Sequence, residues 1–163
     1  TIAREDIFGV KKIFVNSAQE MFDASIQAFA TADIFISAAA VSDFKPAEKS
    51  IHKIKKQANG GLTLRLVQNP DILRTIGQSK KNHQIVIGFA AETQEILAHG
   101  QDKLIKKNAD MLIINDVSRS DTGFSSDDNA VTILIPGRLP ETLSKASKID
   151  IARAIMTQVI TLK

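Results

Sequence analysis

The sequence contains no cysteine, tryptophan or tyrosine, so its eight phenylalanines are its only aromatic residues. The lack of cysteine excludes disulfide bonds, thiolate nucleophiles and zinc sites that depend on thiolate ligands. No apolar run approaches the ~20 residues that a membrane-spanning helix requires. The start of the chain is mixed and charged, unlike a secretory signal. We therefore expect a cytoplasmic protein that has no membrane partner.

The length and composition of the chain predict one globular domain that spans residues 1–163. Its 163 residues are 44% hydrophobic and 24% charged, which is close to the average of soluble domains. A chain of ~150 residues buries roughly 70% of the surface of its unfolded state, which is enough for one core. The hydrophobic fraction also excludes an intrinsically disordered chain.

Positive charge is concentrated in two places, although the net charge is only +3. Such patches attract phosphate, but charge alone leaves open whether the phosphate belongs to a nucleotide or to a nucleic acid. Proteins that bind single strands usually interleave aromatic residues with lysines, and the first cluster has only Phe44 beside it, which favours a small ligand. The clusters consist of Lys45, Lys49, Lys53, Lys55 and Lys56, and of Lys103, Lys106 and Lys107.

The apolar periodicity alternates between short β-branched runs and longer helical patterns, which predicts an α/β protein with a mostly parallel sheet. Lys45–Gly61 is dense in charge and lacks such a pattern, so we expect a flexible lysine-rich loop. Leu62–Val67 alternates, and we expect it to pair as a hairpin with the second half of the segment Asp43–Gly61. The predicted strands are Lys12–Asn16, Asp33–Ser37, Gln84–Ala90, Met111–Asn115 and Ala130–Pro136. The predicted helices run from Ser17 to about Thr31, from Asn69 to near Gln78, over Thr93–Asn108 and over Ser147–Leu162.

Polar residues mark the beginning of three of these helices. Ser17 with Glu20, and Ser147 with Asp150, form capping boxes in which both side chains satisfy free backbone amides. Asn69-Pro70-Asp71 begins the third helix, because asparagine can cap, proline suits the first turn and aspartate favours the positive end of the helix dipole.

The helix predicted over Thr93–Asn108 is amphipathic. Gly100 is an expected weak point inside it, because glycine is a poor helix former. We expect His99 and Gln101 to face outward. The residues expected to face inward are Ile96, Leu97, Leu104 and Ile105.

The common catalytic signatures are absent. No G-x-G-x-x-G follows a strand, and the sequence has no phosphate-binding Walker loop and no H-E-x-x-H zinc motif. It also lacks the G-x-S-x-G elbow of serine hydrolases. The histidines are scattered, so we interpret His52, His83 and His99 as solvated residues and not as metal ligands.

Seven segments occur in the order and spacing typical of one enzyme family. The first four are A-A-A-V-S-D-F at 38–44, K-I-K-K at 53–56, V-Q-N-P-D-I-L at 67–73 and G-F-A-A-E-T at 88–93. They are followed by K-L-I-K-K-N-A-D at 103–110, N-D-V at 115–117 and G-F-S-S-D-D-N at 123–129. Each segment alone is weakly specific. Together they span essentially the whole chain, which closely resembles the phosphopantothenate–cysteine ligase family.

The resemblance implies a Rossmann-like three-layer sandwich and an enzyme of coenzyme A biosynthesis. In this family the carboxylate of 4′-phosphopantothenate attacks the α-phosphate of CTP, which forms an acyl-cytidylate and releases pyrophosphate. The amine of cysteine then displaces CMP. Bacterial members are homodimers that use a divalent cation, usually Mg²⁺. The expected partners are therefore 4′-phosphopantothenate, cysteine, CTP, Mg²⁺ and a second copy of the chain, and not a nucleic acid.

The resemblance also implies roles for individual residues. Lys53 corresponds to a catalytic lysine that contacts the triphosphate, and Lys56 is a further candidate for a phosphate contact. Asp43 corresponds to an acid that lies beside the nucleotide and holds its metal. A core role for Phe89 and a purely capping role for Asp71 stay open. The other implied nucleotide-binding residues are Ala39, Asn69, Pro70, Asp71, Ile72, Phe89, Lys103 and Lys107.

One departure from the family pattern limits these expectations. Members begin the ligase domain with a strand, a glycine-containing turn and an I-S-N-x-S-S-G-K-M-G element, whose asparagine handles the acyl intermediate. The sequence contains neither this element nor the decarboxylase half that binds FMN, so we expect a C-terminal portion of the ligase domain without an FMN site. Two alternatives stay open: a basic nucleic-acid-binding α/β module, and an inactive nucleotide-binding or dimerisation fragment.

Overall fold

The computed structural model describes residues 8–55, 61–92, 96–116 and 128–162. Four helices and seven strands lie within these ranges. None of these helices is both long enough and apolar enough to cross a membrane. The helices are α1 (Ala18–Phe29), α2 (Ile72–Ser79), α3 (Ile96–Lys106) and α4 (Lys148–Ile160). The strands are β1 (Ile34–Ser37), β2 (Phe44–Pro46), β3 (Leu66–Gln68), β4 (Ile85–Glu92), β5 (Met111–Asp116), β6 (Asp128–Leu134) and β7 (Glu141–Ser147).

Five of the strands form one sheet in the order β1-β4-β5-β6-β7, while β2 and β3 form a separate hairpin. Strand β4 pairs in parallel with both β1 and β5. Strand β6 is antiparallel to both of its neighbours, so the other four strands of the sheet run in one direction. The α/β fold with a mostly parallel sheet, expected from the sequence, is confirmed.

Helices cover both faces of the sheet, which gives the three expected layers. On one face, α1, α2 and α3 pack against alternate strand residues such as Val86, Leu112 and Ile114. On the other face, α4 packs against the intervening residues, among them Ile87 and Ile113. Strands β4 and β5 are therefore covered on both faces, which explains their continuous apolar sequence.

Two helix starts follow the predicted capping chemistry. The Ser17 hydroxyl accepts a hydrogen bond from the Glu20 amide at 3.2 Å, and the Glu20 carboxylate accepts one from the Asn16 amide at 2.8 Å. At α4, the Ser147 hydroxyl accepts from the Asp150 amide at 3.2 Å. These local patterns determined where α1 and α4 begin.

The predicted strand Lys12–Asn16 is wrong, because this segment lies outside the sheet in an irregular conformation. Its apolar side chains are exposed, with 52% of Ile13 and 73% of Phe14 accessible to solvent. An extended segment becomes a strand only where a neighbour supplies hydrogen-bonding partners. Within the described ranges, β4 is the only strand that pairs with β1, the edge of the sheet, and Lys12–Asn16 pairs with no strand.

Two further strand predictions need correction. The partner of β3 is β2, which belongs to the first half of the segment Asp43–Gly61 and not to the second. Strand β7 was not predicted, since the alternation of Glu141–Ser147 is weak and its glutamate, lysine and alanine have low strand propensity. It forms because β6 offers a free edge directly before it in the chain.

The packing of α3 also differs from the prediction. Leu104 is buried, but Leu97 and Ile105 are 47% and 76% exposed. Gly100 is buried against the sheet, where it lies close to the side chains of Ile114 and Leu134. A Cβ atom at this position would overlap the end of the Ile114 side chain and crowd that of Leu134, so a larger residue would require these side chains to shift.

Candidate functional site

The turn Asn69–Asp71, which connects β3 to α2, is the centre of the candidate site. The Asn69 amide nitrogen donates to the Asp43 carbonyl oxygen at 2.8 Å, and the Asn69 side-chain amide donates to the Ser42 carbonyl oxygen at 2.8 Å. Pro70 is half-buried and Ile72 is buried, so these two residues attach the turn to the core. This N-P-D turn therefore holds Asp43 in place although the two residues Asp43 and Asn69 are 26 positions apart in the sequence.

Asp71, and not Asn69, caps α2. One oxygen of its carboxylate, Oδ1, accepts a hydrogen bond from the Arg74 amide at 3.0 Å. The expectation that Asn69 is the cap fails because the side chain of Asn69 turns back toward Ser42. The positive end of the α2 dipole consequently lies at the N-P-D turn.

Lys107 forms an ion pair with the second carboxylate oxygen of Asp71. It lies just after α3 and shortly before β5, so its backbone is near the amino end of the sheet's parallel strands. From there its side chain extends to Asp71, the residue that caps the start of α2. Lys103 lies one turn earlier on the same helix and is exposed. The sequence did not predict this ion pair, and the nucleotide-binding role that the resemblance implies for Lys103 and Lys107 stays a prediction.

Two residues that the sequence analysis did not select place the backbone of Lys107. Gly77 is buried inside α2, where a Cβ atom would overlap the Lys107 carbonyl oxygen. Asn108 adopts a positive φ of 50° and donates its side-chain amide to the Gly77 carbonyl oxygen at 2.7 Å. The signals in the sequence were a glycine within a helical pattern and an asparagine at a helix end, where asparagine is favoured in the left-handed conformation.

Asp43 is exposed at the beginning of β2, and its carboxylate makes no hydrogen bond or ion pair with another described residue. Beside it, the side-chain oxygen of Asn69 is buried without a hydrogen-bonding partner in the described part of the chain. No group of three acidic, histidine or cysteine residues that could hold a metal occurs in the described ranges. These oxygens fit Mg²⁺ only where phosphate oxygens of a ligand complete its coordination, which is a common mode for Mg²⁺.

Ala39 follows the carboxyl end of β1, and Phe89 lies in the neighbouring strand β4. The last register pair between β1 and β4 is Ser37 with Gly88, so the small-residue segment after β1 leaves the sheet beside Phe89. Phe89 is half-buried on the face covered by α4, whereas α2 and α3 lie on the other face. The partial burial of Phe89 against this core cluster fits the core role that stayed open for it.

The lysine-rich segment after β2 is exposed and irregular as far as it is described. Lys53 lies in it without an ion pair to another described residue. Lys56 lies outside the described residues, so its predicted contact has no structural test. The structure therefore brings together Asp43, the N-P-D turn and Lys107, and leaves Lys53 on a neighbouring surface segment.

Residues 2–162 match the protein family described as the DNA/pantothenate metabolism flavoprotein C-terminal domain. The chain belongs to this family. The coenzyme A biosynthesis bifunctional protein CoaBC of Bacillus subtilis is 41% identical over 91% of the chain, and that of Vibrio vulnificus strain YJ016 is 40% identical over 94%. The chain spans only 36% and 38% of the length of these relatives.

Solved structures agree with this membership. The crystal structure of the C-terminal domain of CoaBC superposes with a TM-score of 0.79 and 31% identity, and the match covers 99% of the chain and 72% of that structure. A Cab2 mutant in complex with phosphopantothenate-cysteine superposes over 76% of the chain and 43% of that structure, with a TM-score of 0.56 and 24% identity. At that identity the second likeness shows the fold alone.

Proposed function

We propose that the chain forms the nucleotide site of a CTP-dependent phosphopantothenate–cysteine ligase. The observation that carries the proposal is the N-P-D turn, which joins an exposed carboxylate (Asp43) on one side to a held ammonium group (Lys107) on the other. A metal-bound triphosphate needs both kinds of group within the same site. The membership of the chain in a family of pantothenate metabolism supports the same conclusion.

The N-terminus of α2 and the lysines of α3 supply the positive charge. Backbone amides in the first turn of a helix point outward, and the helix dipole favours an anion at this end. One ammonium–phosphate contact at ~4 Å is worth up to ~4 kcal/mol at an effective dielectric constant near 20, before desolvation. In our proposal Lys107 and Lys103 bind phosphate oxygens beside the amides of Ile72 and its neighbours.

Asp43 and the lysine-rich segment complete the proposed site. Asp43 would hold Mg²⁺, which supplies neutralisation of phosphate charge when bound. Lys53 and Lys56 would close over the triphosphate from the segment that follows β2. Nucleotidyl transfer depends on neutralising charge around phosphate oxygens more than on covalent chemistry from the protein, so a site made of lysines, amides and one carboxylate is suited to it.

Base and acyl substrate would bind at the carboxyl ends of the parallel strands, where ligands of such sheets usually lie. In the proposal the small residue Ala39 lets backbone groups approach the base, and Phe89 lines the nucleotide pocket. The carboxylate of 4′-phosphopantothenate would attack the α-phosphate of CTP and release pyrophosphate. The cysteine amine would then attack the acyl carbon, release CMP and form the amide of phosphopantothenoylcysteine.

Calorimetric titration tests the nucleotide step directly. The protein should bind CTP in the presence of Mg²⁺, bind ATP less tightly, and bind a short single-stranded oligonucleotide only weakly. Binding of the oligonucleotide that CTP does not displace and that falls steeply with salt would overturn the proposal in favour of a nucleic-acid module. Binding of neither ligand would overturn both. Sedimentation in the same buffer would report whether the protein forms the proposed homodimer.

A further inference from the structure

We propose that Asp71 is a positioning residue that holds the Lys107 ammonium group for contact with the ligand's phosphate. The inference rests on the proposed function and adds a role for a carboxylate where an anion is expected to bind. A carboxylate beside an anion site repels the anion unless neighbouring groups offset its negative charge. In the structure two groups interact with the Asp71 carboxylate.

The two oxygens of the Asp71 carboxylate have separate partners. Oδ1 accepts the Arg74 amide and caps α2, while Oδ2 accepts the ammonium group of Lys107. The side chains of Lys107 and Asp71 are only 27% and 40% exposed, so solvent screens this pair less than a fully exposed one. The negative charge is therefore balanced by a helix amide and a lysine, and little of it remains to repel a phosphate.

The backbone of Lys107 is also held by α2, at the other end of that helix. Its carbonyl oxygen fits against Gly77, where no side chain is tolerated, and Asn108 donates to the Gly77 carbonyl oxygen at 2.7 Å. The last turn of α2 thus fixes the backbone of Lys107. Asp71, which directly precedes α2, fixes its ammonium group. An ammonium group has three donors, so the one used by Asp71 leaves two for phosphate oxygens.

Without the Asp71 carboxylate, the Lys107 side chain would no longer be held in one orientation. A free lysine side chain samples many rotamers, and binding must then restrict it at a cost in entropy. We therefore expect Asp71→Asn to weaken binding of Mg·CTP by roughly tenfold, which is close to the lower limit for one hydrogen bond to a charged group. Asparagine caps helices as well as aspartate does, so the start of α2 should survive the substitution.

A double-mutant cycle separates positioning from the other roles of Asp71. Mg·CTP is titrated calorimetrically into the wild type, Asp71→Asn, Lys107→Ala and the double variant, with melting temperatures measured for all four. Asp150→Asn is the matched control, since it removes the same charge at the start of α4, which packs on the opposite face of the sheet. Asp71→Asn should weaken binding only when Lys107 is present, and the control should bind as the wild type does.

Other results would overturn the inference. An equal loss from Asp71→Asn in both backgrounds would mean that Asp71 touches the ligand or supports the fold. Unchanged or tighter binding by Asp71→Asn would mean that its charge opposes the phosphate. Failure of the wild type to bind Mg·CTP would instead overturn the proposed function, so the two failures are distinguishable.

Discussion

The side-chain amide of Asn108 donates a hydrogen bond of 2.7 Å to the carbonyl oxygen of Gly77. This bond ties the residues just after α3 to the last turn of α2, where Gly77 has no side chain to separate the two segments. The positive φ of Asn108 turns the chain sharply after Lys107. The contact therefore fixes the backbone position from which the Lys107 side chain extends to Asp71.

Gly77→Ala should destabilise the protein although alanine is the better helix former. The added methyl group would overlap the Lys107 carbonyl oxygen, which is backbone and cannot rotate away. Overpacking of this kind costs about 1–3 kcal/mol in the free energy of unfolding, against a gain of about 1 kcal/mol in helix propensity. Chemical denaturation measures the difference.

Gly61→Ala is the matched control for that variant, because a Cβ atom there would meet no other atom within 4 Å. It should leave the free energy of unfolding within about 0.5 kcal/mol of the wild type. Gly77→Ala as stable as Gly61→Ala would show that α2 and α3 can separate freely, which contradicts the close contact.

Lys53→Ala should weaken CTP binding by roughly 1.5–3 kcal/mol, which is the range for hydrogen bonds to charged groups. Thermal stability should change little, since an exposed lysine in an irregular segment supports no core. Calorimetric titration and thermal unfolding of the same samples measure both effects.

Lys49→Ala controls for the loss of one positive charge in the same segment, and it should weaken CTP binding by less than about 0.5 kcal/mol. Equal losses from the two variants would indicate diffuse electrostatic attraction. That outcome would favour the nucleic-acid alternative over a specific triphosphate contact.

The segment from Ala47 to Lys55 should become more protected when nucleotide binds. It is irregular and largely exposed, and its one backbone hydrogen bond to another described segment is from the Ala47 amide to the Arg65 carbonyl oxygen at 2.8 Å. Amide hydrogen exchange with and without Mg·CTP measures the effect, with β6 as an internal reference that should not change. Strong protection without nucleotide would contradict the expected flexible loop.

Asp150 should make the stability of the protein depend on pH. The Ser147 hydroxyl and the Arg153 guanidinium group hold the pKa of Asp150 below its ordinary value. The resulting stabilisation is complete above the ordinary pKa and disappears as the pH falls through the lower pKa of the folded state. Asp150→Asn should therefore be less stable than the wild type at pH 7, and equally stable well below about pH 4, in denaturant titrations. A difference that persists in acid would assign it to something other than the carboxylate charge.

The local parts of the fold were predictable because their determinants lie close together in the sequence. The apolar run at Ile85–Ala90 and the capping residues Ser17 and Ser147 were placed correctly, since each depends on a periodicity or on a contact within three residues. The motif residues of the site were identified by resemblance. Their partners were not, because an ion pair such as that of Asp71 with Lys107 joins residues 36 positions apart.

The sequence by itself determined the alternation of strands and helices, the starts of α1 and α4 and the two basic clusters, because these follow from the side chains present in each short segment. Only the tertiary structure decided that Lys12–Asn16 stays outside the sheet, since strand formation needs a neighbouring edge. It also decided that Asp71 and not Asn69 caps α2, because Asn69 bonds to Ser42, which is distant in sequence. Gly77 and Asn108 belong to the site for the same reason, since their contact joins residues that are distant in sequence. It holds the residues after α3 against α2, which places Lys107 within reach of the N-P-D turn.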